Sequence, residues 1–146
     1  MGFILLIFAQ ITLSKSCFPV IYDNICPHCD IENVKSTEEN LKNLNKNEIT
    51  CFLQGFNDSC KYNIEYSEYS NKVLFEVLQA YPKDFFSILS NNQQINKKYI
   101  YSEIANPIID YDFGKIIDQI IAINLKSKTK NEVIKQLRVA LHKYNY

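Results

Sequence analysis

The chain has 146 residues, of which 47% are hydrophobic, so it is long enough and apolar enough to fold as one domain with its own core. Its 16 Lys and Arg residues balance its 16 Asp and Glu residues, which gives no electrostatic reason to expect nucleic acid or an anionic membrane as a partner. Composition therefore argues against a disordered chain and against a nucleic-acid-binding protein.

Residues 1–16 predict an export signal. The apolar run at residues 3–13 is too short to span a bilayer, and Ser14-Lys15-Ser16 offers a cleavage site. No basic residue precedes the run, so a buried first element of a cytosolic protein is the alternative. If the signal is removed, residues 17–146 form a mature domain in an oxidising or endolysosomal compartment, where disulfides persist, with no membrane as partner.

The first predicted unit is a strand, a CxxC motif and a helix. Residues 18–22 are apolar and rich in strand-forming side chains, which predicts a buried strand. The motif Cys26-Pro27-His28-Cys29 follows, and a proline is tolerated in the first turn of a helix because its missing N–H costs nothing there. Residues 29–44 carry apolar side chains at loosely helical spacing, so a helix is expected to leave the motif.

The middle of the chain is predicted to be a helical insertion at about residues 64–105. A second strand is expected before it, at residues 49–53. Within the insertion, Pro82 is expected to end one helix, after which a second begins. Asn57-Asp58-Ser59 is a glycosylation acceptor if the chain is exported, so Asn57 is a candidate glycosylated residue.

The last part of the chain is predicted to hold two strands and a helix. Residues 107–115 indicate a strand that runs into a glycine turn. Residues 116–123 fit a strand and a helix equally well by periodicity, and their β-branched side chains favour the strand. Thr129 is expected to cap the last helix, with Glu132 completing a capping box. Alternating elements of this kind predict an α/β fold.

The CxxC motif suits redox chemistry when it opens a helix. Cys26 would lie at the helix N-terminus, where free backbone N–H groups stabilise a thiolate and make it a good nucleophile. Cys29, one turn later, would resolve a mixed disulfide with a substrate. A protonated His28 would favour the thiolate further. The candidate catalytic residues are therefore Cys26, Cys29 and His28.

Three other interpretations of the motif stay open. A disulfide between Cys26 and Cys29 would close a tight loop and remove little chain entropy. A zinc site could use Cys26, Cys29, Cys51 and Cys60, although the spacing of the second pair is loose for a zinc knuckle, so no metal is expected. The motif could also be inherited from a redox ancestor and no longer used.

Three parts of the chain resemble the gamma-interferon-inducible lysosomal thiol reductases. The run PVIYDNICPHC is similar to the family's first strand and CxxC, and Cys60-Lys61-Tyr62-Asn63 resembles the C-x-x-N end of its signature. Pro107, the strand after it and Gly114-Lys115 resemble the family's cis-proline strand and turn. The signature's Gln-His pair is missing, and its last cysteine would fall at Glu68. The chain thus looks like a shortened, divergent member.

The resemblance implies a thioredoxin-like fold and reduction of protein disulfides in a secreted or lysosomal setting, without metal or organic cofactor. It implies that Pro107 is a cis-proline that faces the CxxC, whereas an ordinary trans-proline is the alternative. Cys51 and Cys60 are candidates for a structural disulfide, which leaves Cys17 unassigned. The second candidate function is a secreted thioredoxin-like binding module whose catalysis has decayed.

Overall fold

In the computed structural model, the structure of residues 26–144 is described, and this part of the chain is helical. The α-helices are α1 (Ile31–Glu39), α2 (Lys46–Gln54), α3 (Ile64–Ala80), α4 (Pro82–Asn91), α5 (Lys97–Ala105), α6 (Phe113–Ala122) and α7 (Lys128–Tyr144), with a 3₁₀-helix at Asp58–Tyr62. Between residues 26 and 144 there is no strand. The predicted α/β, thioredoxin-like fold is therefore wrong. The predicted export signal, the predicted strand at residues 18–22 and Cys17 lie outside the described residues.

The predicted strand at residues 49–53 lies inside helix α2, because a capping box starts a helix just before it. The Asn45 side chain accepts hydrogen bonds from the backbone N–H groups of Asn47 (2.9 Å) and Glu48 (3.1 Å). The Glu48 carboxylate accepts the Asn45 N–H in return, at 2.8 Å. Ile49 and Phe52, spaced three residues apart, are then both fully buried on one face.

The two predicted C-terminal strands are also wrong, because residues 113–122 form helix α6. Asp112 caps this helix by accepting the Lys115 N–H at 2.9 Å. Ile116 and Ile120 are buried against α7, whereas Ile121 is 51% exposed, as the helical period requires. Burial of one helical face thus outweighs the β-propensity of the isoleucines. Residues 107–112, the other part of the first predicted strand, connect α5 to α6 as a loop.

The helices predicted for the middle and the end of the chain are confirmed, with one correction at a cap. Pro82 is the first residue of α4, where its missing N–H is harmless. The hydroxyl of Ser127, and not that of Thr129, accepts the first backbone N–H groups of α7, from Thr129 (3.1 Å) and Lys130 (3.4 Å). Thr129 is instead buried, and its hydroxyl accepts a hydrogen bond from Ser90 at 2.9 Å.

The helices enclose a core that is rich in aromatic side chains. α1 packs on α3, and α7 packs on both α5 and α6. Burial of one phenylalanine side chain contributes roughly 2–3 kcal/mol, so the aromatic members of the core contribute most per residue. Those less than 2% exposed are Phe52, Phe56, Tyr66, Phe75, Phe85, Phe86 and Phe113. In the described part of the chain, no helix combines the length and the apolar character needed to cross a membrane.

Candidate functional site

The CPHC turn, residues 26–29, lies before helix α1 and does not open it. Asp30 is the N-cap of α1, where its carboxylate accepts the Glu32 N–H at 3.0 Å. Cys29 directly before it adopts a left-handed backbone conformation, with φ of 57°. Neither Cys26 nor Pro27 therefore lies in the first helical turn, and the predicted thiolate at the N-terminus of the helix is not formed.

The cysteines of the CPHC turn are bonded to two cysteines later in the chain. Cys26 pairs with Cys51 of α2, and Cys29 pairs with Cys60 of the 3₁₀-helix; the Cα atoms are 5.2 Å apart in each pair. The pairing is crossed, because each bond has one cysteine within the loop that the other bond closes. It replaces both the expected Cys51–Cys60 pairing and a Cys26–Cys29 disulfide. Since all four sulfurs are used, the arrangement also removes the four-cysteine zinc site.

Hydrogen bonds hold the CPHC turn against the C-terminal end of α2, which explains the pairing. The Cys29 N–H donates to the Gly55 carbonyl at 3.2 Å. The Nδ1 atom of His28 lies 3.0 Å from the Gln54 carbonyl oxygen, so Nδ1–H donates to a carbonyl that the helix leaves free. His28 thus contacts a helix end, and the predicted contact with a thiolate is replaced by this anchoring role.

Gly55 permits the close approach of the CPHC turn to α2. A Cβ atom at this position would lie 3.1 Å from the Phe52 carbonyl oxygen, 3.1 Å from the Tyr66 hydroxyl and 3.7 Å from the Pro27 carbonyl oxygen. The Tyr66 hydroxyl is buried, has no hydrogen-bond partner within residues 26–144, and burial raises the pKa of this phenol. A side chain larger than hydrogen at position 55 would push against this arrangement.

Pro107 is not a cis-proline, because the peptide bond before it is trans. Its carbonyl accepts the Tyr144 hydroxyl at 2.9 Å. The next residue, Ile108, donates its N–H to the Asn71 side chain at 3.1 Å. Pro107 therefore belongs to a loop that is fixed on α3 and α7, and the prediction of a cis-proline is wrong.

Asn57, the candidate for glycosylation, is the N-cap of the 3₁₀-helix. Its side-chain oxygen accepts hydrogen bonds from both the backbone N–H and the hydroxyl of Ser59, each at 3.1 Å. The asparagine is half-buried and Ser59 is exposed. Glycosylation at Asn57 stays a prediction.

A surface groove between α1, α3 and the loop before α6 is the second candidate site. Its volume is about 430 Å³, and most of its lining is apolar. Two isoleucines of the loop, Ile108 and Ile109, are 50% and 41% exposed. We call this surface the α1–α3 groove; its lining residues are Ile31, Lys35, Glu65, Glu68, Tyr69, Lys72, Ile108 and Ile109.

Sequence reasoning missed the groove because it assigned Ile108 and Ile109 to a strand. Their apolar side chains predict burial in a sheet, and only the loop conformation places them at the surface. The signal that could have revealed the groove is the proline before them, since Asn106-Pro107 is typical of a turn.

Among the charged residues that line the groove, the two lysines have carboxylate partners, whereas the two glutamates have no basic partner in the described part of the chain. Lys35 is bonded to Glu32 at 2.8 Å, which raises the pKa of the lysine, and Lys72 forms a short ion pair with Glu38. Glu65 and Glu68 form no ion pair with any described residue and are both exposed. The rim thus carries surplus negative charge.

The surplus is part of a wider separation of charge along the chain. Residues 26–80 hold nine carboxylates and five lysines, whereas residues 81–144 hold six carboxylates and ten basic residues. The whole chain is neutral, so the acidic character of the groove region is not visible from net charge.

Comparison of this chain with protein-family models, with curated proteins and with solved structures found no match. The resemblance of the CPHC region to the thiol reductases therefore stays a prediction. The two disulfides and the α1–α3 groove have to be interpreted from the chemistry of this chain alone.

Proposed function

We propose that the protein is a disulfide-stabilised helical binding module of an oxidising compartment, in which the CPHC turn is structural. The observation that supports this most directly is the crossed pairing of Cys26 with Cys51 and of Cys29 with Cys60. A dithiol enzyme needs its two CxxC sulfurs free to bond to each other. Here each sulfur instead joins the turn to a different helical segment.

The loop sizes agree with a structural role. The disulfides span 25 and 31 residues, and closing a loop of that size stabilises the folded state by roughly 3–4 kcal/mol. A Cys26–Cys29 bond would close almost no chain and contribute far less. Disulfides that stabilise a small domain are typical of exported proteins, which supports the proposed secreted or lysosomal location and the predicted glycan at Asn57.

Thiol–disulfide exchange is the second candidate function, and the exposure of one disulfide favours it. Cys26 and Cys51 are half-buried and Cys26 borders a cavity of about 220 Å³, whereas Cys60 is fully buried. An external dithiol would reduce the Cys26–Cys51 bond. The Cys26 thiolate would then attack a substrate disulfide and release one substrate thiolate. Cys51 would displace the second thiolate and restore the Cys26–Cys51 bond.

One assay separates the two candidates. The oxidised protein is tested for reduction of insulin disulfides by dithiothreitol at pH 7, together with Cys26→Ala/Cys51→Ala and Cys29→Ala/Cys60→Ala. For a binding module we expect no rate above that of dithiothreitol alone. Turnover that Cys26→Ala/Cys51→Ala removes, and that the other variant retains, would contradict the structural role and establish the exchange reaction.

The pairing itself is measured independently. Proteolysis of the unreduced protein under acidic conditions, followed by mass spectrometry, is expected to yield peptides joined through Cys26–Cys51 and Cys29–Cys60. Acid prevents disulfide exchange during digestion because the thiolate is the attacking species. Recovery of Cys26 joined to Cys29 would refute the structural interpretation.

A further inference from the structure

We propose that the α1–α3 groove binds a peptide segment of a partner protein, with aliphatic or aromatic side chains in the groove and flanking Lys or Arg residues at its rim. This inference rests on the proposed function as a binding module and names the chemistry of the partner. The groove combines an apolar floor, a negatively charged rim and fixed walls.

The floor of the groove offers apolar surface that the fold leaves uncovered. Ile108 and Ile109 are 50% and 41% exposed, and they face the same groove as Ile31 and Tyr69. Apolar side chains gathered in one concave surface differ from single exposed ones, which are common on any protein. The volume of about 430 Å³ lies in the range of ligand pockets, roughly 300–1,000 Å³. The groove therefore suits several apolar side chains.

The rim selects for positive charge beside those apolar side chains. Both lysines that line the groove already have carboxylate partners, Lys35 with Glu32 and Lys72 with Glu38. Glu65 and Glu68 have none among the described residues, and both are exposed on α3. A bound segment with Lys or Arg near its apolar residues would complement these two carboxylates. The same surplus charge would repel nucleic acid and anionic lipid.

The walls of the groove are fixed, so little ordering is required on binding. The buried Asn71 side chain donates to the Glu103 carboxylate at 2.8 Å and accepts the Ile108 N–H at 3.1 Å. The Tyr144 hydroxyl holds the Pro107 carbonyl from the other side, at 2.9 Å. A preorganised site loses less free energy when it binds. These contacts also keep the two loop isoleucines at the surface.

The proposal is tested by selection of phage-displayed random twelve-residue peptides on the full, oxidised protein. We expect enrichment of peptides with two or more apolar residues flanked by Lys or Arg. Synthetic versions of the enriched peptides are then measured by fluorescence anisotropy. Ile109→Asp should weaken binding at least tenfold because it places a charge on the floor. Glu65→Gln/Glu68→Gln should weaken it several-fold and reduce its dependence on salt.

A matched control is Ile121→Asp, which alters an isoleucine of similar exposure (51%) on α6, outside the groove lining. This variant should bind the peptides as the wild type does. Failure to enrich any peptide, enrichment of peptides without basic residues, or equal losses in Ile109→Asp and Ile121→Asp would each overturn the proposal.

Two other occupants give distinct results. Concentration-dependent dimerisation that Ile109→Asp abolishes would assign the groove to a second copy of the chain. Peptide binding that begins only after limited proteolysis has removed residues 1–25 would assign it to the chain's own N-terminal segment. Either result overturns the proposal and leaves the disulfide map and the insulin assay unaffected, so failure of this inference is distinguishable from failure of the proposed function.

Discussion

Removal of the disulfides gives the sharpest test of the structural role of the CPHC turn. The informative variants remove both cysteines of a bond, so that no single thiol is left to exchange. They are Cys26→Ala/Cys51→Ala, Cys29→Ala/Cys60→Ala and the variant that combines all four substitutions. Because the two pairings cross, loss of one bond and loss of both bonds should lower the free energy of unfolding by different amounts.

The expected magnitudes follow from the loops that each bond closes. A first disulfide across 25 or 31 residues lowers the entropy of the unfolded chain, which is worth about 3.5 kcal/mol at 25 °C. Once one bond is present, the second disulfide closes a smaller ring, which is made of the segments from Cys26 to Cys29 and from Cys51 to Cys60. This ring has roughly 12 residues, and closing it is worth about 2.8 kcal/mol. Either pair variant should therefore lose about 3 kcal/mol, and the fourfold variant about 6 kcal/mol.

The two pair variants are not expected to be identical. Cys60 is fully buried, so its truncation to alanine also leaves a small cavity, whereas Cys26 and Cys51 are half-buried. Cys29→Ala/Cys60→Ala should thus be the less stable of the two. The free energy of unfolding of a domain of this size is about 6–15 kcal/mol, so the fourfold variant would be close to unfolding.

The assay is urea unfolding at pH 7, followed by circular dichroism at 222 nm and extrapolated to zero urea. Cys26→Ala/Cys29→Ala is the critical comparison, because with the crossed pairing it breaks both bonds. It should cost about 6 kcal/mol unless Cys51 and Cys60 bond to each other, which mass spectrometry would detect. A loss below about 1 kcal/mol in this variant and in both pair variants would refute the reasoning.

Three further predictions concern residues outside the disulfides. Burial raises the pKa values of the Glu76 and Glu103 carboxyls above those in the unfolded chain, so the folded state should gain stability as the pH falls from neutral through those pKa values. Glu76→Gln/Glu103→Gln should flatten this dependence in thermal unfolding scans between pH 7 and about 4.5, and an unchanged slope would contradict the prediction. Gly55→Ala should cost about 1–3 kcal/mol in urea unfolding because its Cβ would lie 3.1 Å from the Phe52 carbonyl and from the Tyr66 hydroxyl. Gly114→Ala is the control for this substitution, since the nearest atom, Asp112 Oδ1, is 3.5 Å away in a helix, and it should be neutral or stabilising. Asn71→Ala should cost about 2 kcal/mol or more by removing a hydrogen bond from the Glu103 carboxylate and leaving the Ile108 N–H without its partner, and it should weaken peptide binding in the groove; full stability would show that these bonds are not formed.

Helices whose apolar residues follow a clear 3.6-residue period could be predicted from the sequence. The face formed by Val73, Leu74, Val77 and Leu78 is buried in α3, and Pro82 begins α4. This period is visible in the sequence because a helix buries one face whichever elements of the fold pack against it. For the same reason, the face of Val133 and Leu137 in α7 was predictable even though its cap was not.

Short segments rich in β-branched residues could not be assigned in this way. Residues 49–53 and 116–123 are consistent with a strand and with a helix when their neighbours are ignored. The side chains of Asn45 and Asp112 cap the N-termini of α2 and α6, which favours a helix in each segment. Packing against α7 buries Ile116 and Ile120 on one face of α6. Asn45 with Glu48 three residues later was a usable signal for α2, and it argues against a strand at 49–53 more strongly than β-propensity argues for one.

The sequence by itself determined that this chain is apolar enough to form a core, that helices occupy its middle and its C-terminal end, and that it has enough cysteines for disulfides. It left the meaning of the CPHC turn open, because the four cysteines that follow Cys17 allow three pairings among themselves and spacing alone does not choose among them. Only the tertiary structure decided the pairing: it places the turn across the end of α2, where Gly55 admits the backbone and Cys51 and Cys60 come within bonding distance. The α1–α3 groove has the same origin, because its walls are far apart in the chain and meet only when the helices pack.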